Sequence, residues 1–132
     1  MNSIGRHIST MGYIKVMSNL SPWLRKAELG GVYANPASHG EGRFVAQSKD
    51  IEKFISNGQI ATMYADLDLS PNIGDNYNFN GSYMAVEGMS SPDGKVFGKM
   101  LHSERIGRGV SINIYGEQDM KIFESGVEYF TA

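Results

Sequence analysis

Two residues of this chain, His102 and Glu104, have the types and the spacing that general-base chemistry requires. In extended backbone, side chains two positions apart lie on the same face of the strand, with Cα atoms about 6.5 to 7 Å apart. A carboxylate placed there can accept one imidazole N–H, which leaves the other ring nitrogen to take a proton from a thiol or hydroxyl. The pair therefore predicts two members of a catalytic triad. Taken alone, the same spacing also suits a surface histidine beside a solvated acid.

The third member of such a triad, a nucleophile, is not found. The chain has no cysteine, and none of its serines lies in the strained strand-to-helix turn that exposes a nucleophilic hydroxyl. The absence of cysteine also excludes disulfides and thiolate metal sites. His7, His39 and His102 lie in separate segments without the short spacing typical of zinc ligands, so we predict no metal site.

Length and composition indicate one modest folded unit. With 132 residues, of which 41% are hydrophobic, the chain can bury a single core and no more. The net charge is −2 and the acids and bases are interspersed, so we expect no nucleic-acid partner. No apolar run approaches the roughly 18 residues that span a bilayer, and residues 1–11 lack a signal-peptide core. We therefore expect no membrane partner and a cytoplasmic location.

Strand signals outnumber helix signals along the chain. Alternation and β-prone composition predict strands over residues 13–17, 32–34, 43–46 and 59–65. Residues 84–89 and 95–100 are predicted to form a hairpin around the turn at 90–94, which contains Pro-Asp-Gly and would deliver His102 to the hairpin's end. The Asn-rich stretch at 66–81 indicates a long loop.

Two helices are predicted. The first is capped by Ser48, ends at Gly58, and presents one apolar face made of Ile51, Phe54 and Ile55. The second starts near Gln118, and its apolar stripe is expected to pack in the core. That stripe consists of Met120, Phe123, Val127 and Phe130.

A second candidate site is the segment 38–42, with the sequence SHGEG. Glycines on either side of Glu41 let the backbone come close to a ligand, whose charged groups can then bond main-chain atoms. A glycine-rich turn between two strands is the alternative interpretation of the same residues.

Several segments together resemble a known family. Residues 90–105 (SSPDGKVFGKMLHSER) closely resemble the last hairpin of class I, triad-type, glutamine amidotransferase domains, in the form fused to phosphoribosylformylglycinamidine synthase of purine biosynthesis. Further segments resemble the same family in the expected order: 2–7 (NSIGRH), 18–24 (SNLSPWL), 38–44 (SHGEGRF), 58–62 (GQIAT) and 123–130 (FESGVEYF). The chain departs from the family pattern at Met63, Phe79 and Leu101.

The resemblance implies a fold and a place in a larger domain. The implied fold is α/β, the carboxy-terminal part of the flavodoxin-like class I amidotransferase fold, rich in strands and ending in a helix. Domains of this family are longer, and their amino-terminal half carries a Gly-x-Cys-x-Gly turn with the nucleophilic cysteine. Residues 1–132 are therefore expected to be a partial domain that lacks this half, which would be its partner.

The resemblance also implies roles for individual residues. His102 would act as the base and Glu104 as the acid that orients it, while Ser38, Gly40 and Glu41 would contact the substrate glutamine. The ammonia released from glutamine would pass to a synthetase domain that uses ATP and Mg²⁺, so no cofactor is expected on this chain. Such a fragment of a glutamine-dependent ligase should be inactive alone, because the cysteine is absent.

Two functions of different kinds remain open at this point. The chain is either an enzyme fragment that supplies the His-Glu part of a Cys-His-Glu triad, or a non-catalytic module that docks on a synthetase or self-associates. Half of an α/β sheet would leave an edge strand and an apolar face uncovered, so self-association is an expected consequence of either.

Overall fold

A five-stranded antiparallel sheet forms the centre of the computed structural model, which describes residues 1–132. The strands are β1 (Ile8–Val16), β2 (Val32–His39), β3 (Ile60–Tyr64), β4 (Val86–Ser90) and β5 (Phe97–Lys99), in the spatial order β2-β1-β3-β4-β5. Two α-helices, α1 (Ser48–Ser56) and α2 (Ile122–Thr131), and two 3₁₀ segments, Pro22–Leu24 and Tyr83–Ala85, complete the fold. The chain is thus strand-rich and ends in a helix, as predicted.

The pairing of β1 with β2 is longer than the sequence predicted. It runs from Ile8 opposite His39 to Lys15 opposite Val32, so each strand extends several residues beyond its β-prone run. Pro36 lies inside β2 and cannot donate to a ladder, but β2 is an edge strand, where proline is tolerated. The inner residues of β1, Ile14 and Val16, are buried in the core.

The strand predicted at residues 43–46 is wrong. This segment is irregular, because its backbone bonds go to a neighbouring turn and not to a ladder. The Phe44 amide donates to Ser82 Oγ at 3.0 Å, and the Phe44 carbonyl accepts from the Tyr83 amide at 2.8 Å.

Helix α1 lies where it was predicted, with two differences. Ser48 is its first helical residue, Gln47 is the N-cap, and the Ser48 hydroxyl lies 3.2 Å from that of Tyr83, so the predicted serine cap is wrong. Ile51 is buried, whereas Ile55 is exposed, so the buried face of the helix is narrower than the apolar face predicted from the sequence. Gly58 has a φ of +69° just after the helix, as a left-handed terminator requires.

Helix α2 buries a different face from the one predicted. It begins at Ile122, and Met120 is buried ahead of it, but Phe123, Val127 and Phe130 are 59%, 63% and 50% exposed. The buried positions are Ile122, Ser125 and Gly126. The reason is a close approach to the 3₁₀ segment: a Cβ on Gly126 would lie 2.1 Å from the Trp23 ring.

The core lies along the centre of the sheet and reaches the end of the β4–β5 hairpin. Its main cluster includes Ile14, Val16, Leu24, Ala61, Tyr64, Leu101 and Met120. The predicted loop at 66–81 is a loop, and two of its asparagines, Asn78 and Asn80, are buried. Asn80 is buried and its side-chain amide donates to the Gly42 carbonyl at 2.8 Å and to the Tyr64 hydroxyl at 2.9 Å. Neither helix has the length and apolar character needed to cross a membrane.

Candidate active site

The β4–β5 hairpin carries the chain to the candidate catalytic pair. Its two strands pair antiparallel from Gly88 opposite Lys99 to Ser90 opposite Phe97. The connecting turn is closed by a bond from the Gly94 amide to the Ser91 carbonyl at 2.9 Å, and Gly94 has a φ of +74°, which favours glycine. The predicted hairpin is therefore confirmed, although each strand is shorter than expected.

His102 and Glu104 are in direct contact. His102 Nδ1 lies 2.6 Å from Glu104 Oε1, with the two side chains 28% and 53% exposed. The extended backbone predicted for this pair is wrong, because residues 102–105 form a turn in which the Arg105 amide donates to the His102 carbonyl at 3.3 Å. The turn folds the chain back and so brings the two side chains together. A strand would instead have placed them side by side on one face.

The carboxylate of Glu104 is suited to hold the ring in one tautomer. Partial desolvation acts to raise the pKa of Glu104, but bonds from its own backbone amide and from the His102 ring outweigh it, so the pKa lies below its usual value. An ionised carboxylate only accepts hydrogen bonds, so Nδ1 must carry the proton. Nε2 has no partner in the chain and is left free to accept a proton.

The pair borders two adjoining cavities. One has a volume of about 330 Å³ and is lined by His102, Trp23 and Phe97 among others. The second, of about 360 Å³, lies on the other side of Glu104 and includes Asp119 and Lys121. Both share the wall formed by Ser103, Glu104, Ile122 and Phe123. Each cavity is at the lower end of the size typical of small-molecule sites, about 300 to 1,000 Å³.

Comparison with known proteins identifies the family. The family model described as CobB/CobQ-like glutamine amidotransferase domain matches residues 1–130. The chain belongs to this family. The resemblance predicted from the sequence motifs is therefore confirmed.

Amidotransferase relatives agree with this assignment. The chain is 34% identical to phosphoribosylformylglycinamidine synthase subunit PurQ of Chlorobaculum tepidum over 125 residues, which are 94% of this chain and 51% of the relative. It is 33% identical to the Aquifex aeolicus subunit over 106 residues, 80% of this chain and 44% of the relative. The chain thus spans about half the length of the curated relatives that it matches.

A solved structure matches the fold of this amidotransferase chain. The structure of PurLQS from Thermotoga maritima superposes with a TM-score of 0.68 and 28% identity, covering 98% of this chain and 50% of that one. The strand-rich α/β fold with its carboxy-terminal helix is therefore shared with a solved relative.

The residues predicted to bind glutamine do not line the cavities next to His102 and Glu104. Ser38 is the penultimate residue of β2 and its Oγ lies 3.2 Å from His7 Nε2. Gly40 follows the strand, and its carbonyl accepts from the Asn2 amide at 2.9 Å, while Glu41 is exposed. None of these three residues lines either cavity next to His102, so their role stays a prediction.

The link between these two parts of the site is the backbone of β2. The His102 amide donates to the carbonyl of Pro36 at 2.8 Å, two residues before Ser38. At the end of β2, the His39 ring is packed against Gly42 and stacked on Phe79, and both of its nitrogens are buried without a hydrogen-bond partner. Burial lowers the pKa of His39 below the usual 6.5, so the ring is neutral at neutral pH.

The sequence analysis missed a buried ionic pair that binds the residues next to His102. Glu87 on β4 and Lys99 at the end of β5 lie 3.5 Å apart, with side chains 0% and 12% exposed. The available signal was an acidic residue inside the β4 run, at a position where the neighbouring residues are buried. No group of three or more acidic, histidine or cysteine side chains is arranged to hold a metal ion.

Proposed function

We propose that this chain supplies the base and the orienting acid of a glutaminase that serves phosphoribosylformylglycinamidine synthase in purine biosynthesis. The observation that carries the proposal is the 2.6 Å contact between His102 Nδ1 and Glu104, with Nε2 left open. Family membership and the similarity to PurQ subunits support it. The nucleophilic cysteine would come from a polypeptide segment outside residues 1–132, so these residues would form part of a class I amidotransferase domain.

The proposed reaction proceeds in two stages. His102 Nε2 takes the proton from the cysteine thiol, and the thiolate attacks the side-chain amide carbon of glutamine. As the carbon–nitrogen bond breaks, the imidazolium gives its proton to the leaving nitrogen, which departs as ammonia and leaves a thioester. Water, deprotonated by the same ring, then cleaves the thioester to glutamate. Throughout, Glu104 holds Nδ1–H and stabilises the cationic ring.

The surroundings of the pair would supply the substrate site and the partner. Ser38, Gly40 and Glu41 would contact glutamine, largely through the backbone, once the missing segment closes the site. The ammonia would pass to a synthetase domain that uses ATP and Mg²⁺. All four strand pairings in this chain are antiparallel, whereas the flavodoxin-like fold is built on a parallel sheet, so the flavodoxin-like assignment is proposed only for the complete domain and not for this part of it.

A second candidate function is a non-catalytic module that docks on a synthetase or self-associates. The observation that favours it is the exposed apolar stripe of α2, formed by Phe123, Val127 and Phe130. Apolar side chains grouped on one helix face are typical of protein–protein contacts. The chain also has no nucleophile of its own.

One reconstitution experiment separates the two functions. The chain is mixed with a separately produced amino-terminal segment of a PurQ relative, chosen because its sequence contains a Gly-x-Cys-x-Gly turn, and ammonia release from glutamine is measured. We expect ammonia from the mixture and from neither part alone. His102→Ala should abolish it, whereas Lys49→Ala, an exposed change on α1, should not.

Two results would overturn the glutaminase proposal. One is an associated pair, shown by sedimentation, that releases no ammonia; the other is ammonia release that His102→Ala leaves unchanged. Binding of the chain to a synthetase without any ammonia release would instead support the docking module.

A further inference from the structure

The buried carboxylate of Glu87 accepts hydrogen bonds from the backbone directly before the candidate base, His102. Glu87 Oε1 accepts from the amides of Met100 and Leu101 at 2.9 and 2.7 Å. Glu87 Oε2 accepts from the Thr62 hydroxyl at 2.5 Å, so both oxygens are satisfied within the protein. Two of these three donors belong to the residues that directly precede His102.

The buried ammonium group of Lys99 also binds this turn, as a hydrogen-bond donor. Lys99 Nζ donates to the Leu101 carbonyl at 2.7 Å and to Ser103 Oγ at 2.9 Å. Its third proton faces Glu87 Oε1 and Asn35 Oδ1, both at 3.5 Å. Asn35 in turn accepts from the Ser103 hydroxyl at 2.9 Å and donates to the Gln118 carbonyl.

The result is a turn whose polar groups are held on both sides of His102. The amide of His102 itself is bound to the Pro36 carbonyl, so the backbone at 100–102 and the Ser103 side chain are tied to the sheet. Burying two charges is costly, and apolar side chains often hold a core as well or better. An ionic pair at this place is therefore better explained by the geometry that it enforces than by the stability that it adds.

We infer that Glu87 and Lys99 are positioning residues that hold the 100–103 turn so that His102 presents Nδ1 to Glu104 and Nε2 to the cavity. Neither side chain touches the ring, and both act through the backbone and Ser103. The catalytic consequence rests on the proposed function, but the positioning itself can be measured in the chain alone.

The test uses the full chain with three variants: Glu87→Gln, Lys99→Met and the double variant. The double variant removes both charges together, so it guards against unfolding caused by one unpaired buried charge. Two readouts are taken by NMR: the hydrogen-exchange rates of the Met100 and Leu101 amides, and the tautomer of each histidine ring from its nitrogen shifts.

Matched control variants are available elsewhere in the chain. Asp66→Asn changes a surface carboxylate whose Oδ1 accepts the amides of Asp68 and Ser70, both at 3.0 Å. Lys15→Met removes an exposed ammonium that donates to the Leu69 carbonyl at 2.8 Å. Both reproduce the chemistry of the buried pair at sites that do not border His102.

We expect the native chain to show His102 as a single Nδ1–H tautomer. In Glu87→Gln and in the double variant, the Leu101 amide should exchange roughly tenfold faster or more, because its bond to the Glu87 carboxylate is no longer charge-assisted. The His102 ring should then become a mixture of tautomers, while His7 keeps its native signature. The two control variants should leave His102 unchanged.

Two results would overturn the inference. One is a single tautomer and native exchange at Leu101 in all three variants. The other is unfolding of the double variant as well as the single ones, which would show that the pair serves the fold as a whole. If the chain mixed with the cysteine-bearing segment releases no ammonia, the glutaminase proposal is wrong, but these NMR readouts of the chain alone are unaffected. If the His102 tautomer is unchanged in the three variants while ammonia release still depends on His102, only the positioning inference is wrong.

Discussion

At the scale of single residues, the proposed function depends on the ring nitrogen of His102 that Glu104 leaves free. The contact at 2.6 Å fixes the proton on Nδ1 of His102 and makes Nε2 the acceptor. Because Glu104 is half exposed, its contact with the ring adds little to stability. Its value is in fixing which nitrogen can act as the base.

Glu104→Gln should therefore damage catalysis and spare the fold. A glutamine can turn either its oxygen or its amino group to the ring, so the tautomer is no longer fixed. In the reconstituted mixture we expect ammonia release to fall by about 10²- to 10⁴-fold, the range typical of a general-base step. Steady-state rates measure this, with Glu117→Gln as the exposed control. Equal rates for the two variants would contradict a catalytic role for Glu104.

His39 should make the chain sensitive to mild acid. Burial holds the pKa of its ring below the unfolded value of 6.5, so the unfolded state binds the proton more readily. Stability should therefore be complete above about pH 6.5 and fall as the pH drops through and below that value. Chemical denaturation between pH 8 and pH 5 measures the slope. His39→Gln should flatten it, His7→Gln should not, and the same slope in both would contradict this account.

At the scale of elements, the orientation of α2 follows from one contact with a distant residue. Gly126 lets the helix approach the Trp23 ring, whose Nε1 also donates to the Lys95 carbonyl at 2.8 Å. This contact leaves Phe123, Val127 and Phe130 at least half exposed, although the Phe130 ring also packs on Trp23, with ring centroids 5.3 Å apart. The local apolar period of the sequence predicted that a neighbouring face of the helix would be buried.

Gly126→Ala should destabilise the protein although alanine is the better helix former. The gain in helix propensity is about 1 kcal/mol, but the added methyl group would overlap the Trp23 ring, and overpacking costs about 1 to 3 kcal/mol. We expect a net loss of stability in urea denaturation, with Gly98→Ala as control, because its Cβ would meet no atom within 4 Å. A more stable Gly126→Ala protein would show that α2 does not approach Trp23 so closely.

Two truncations distinguish the observed face of α2 from the predicted one. Ile122→Ala removes a buried side chain and should cost about 2 to 4 kcal/mol. Val127→Ala changes an exposed one and should alter stability by no more than about 0.5 kcal/mol. Thermal and urea unfolding of both variants provide the measurement. The reverse order would return Val127 to the core, as the sequence pattern suggested.

Local signals in the sequence predicted those features that depend on local chemistry. The Pro-Asp-Gly sequence correctly predicted the hairpin, and Gly58 correctly predicted where α1 ends. The contact between His102 and Glu104 was also predicted, but from an extended backbone, whereas a turn produces it. What could not be predicted depends on partners far apart in sequence, such as Trp23 against Gly126.

At the scale of the whole molecule, the sheet joins two parts of the candidate site. β2 carries Ser38 and holds the His102 amide through Pro36, while the β4–β5 hairpin carries the turn itself. The family motifs spread along the sequence were enough to predict membership of the amidotransferase family. The buried Glu87–Lys99 pair was not predicted, because its meaning depends on the register of two strands and on the turn after them.

The central claim is tested most directly by a crystal structure of the chain bound to the cysteine-bearing segment that is used in the reconstitution experiment. The distance to be measured joins the cysteine sulfur to His102 Nε2. We predict hydrogen-bond reach, about 3 to 3.5 Å, with the bond from Nδ1 to Glu104 retained. A bound segment whose cysteine lies on another surface of the chain, or a His102 ring turned away from it with the Glu104 bond broken, would contradict the account.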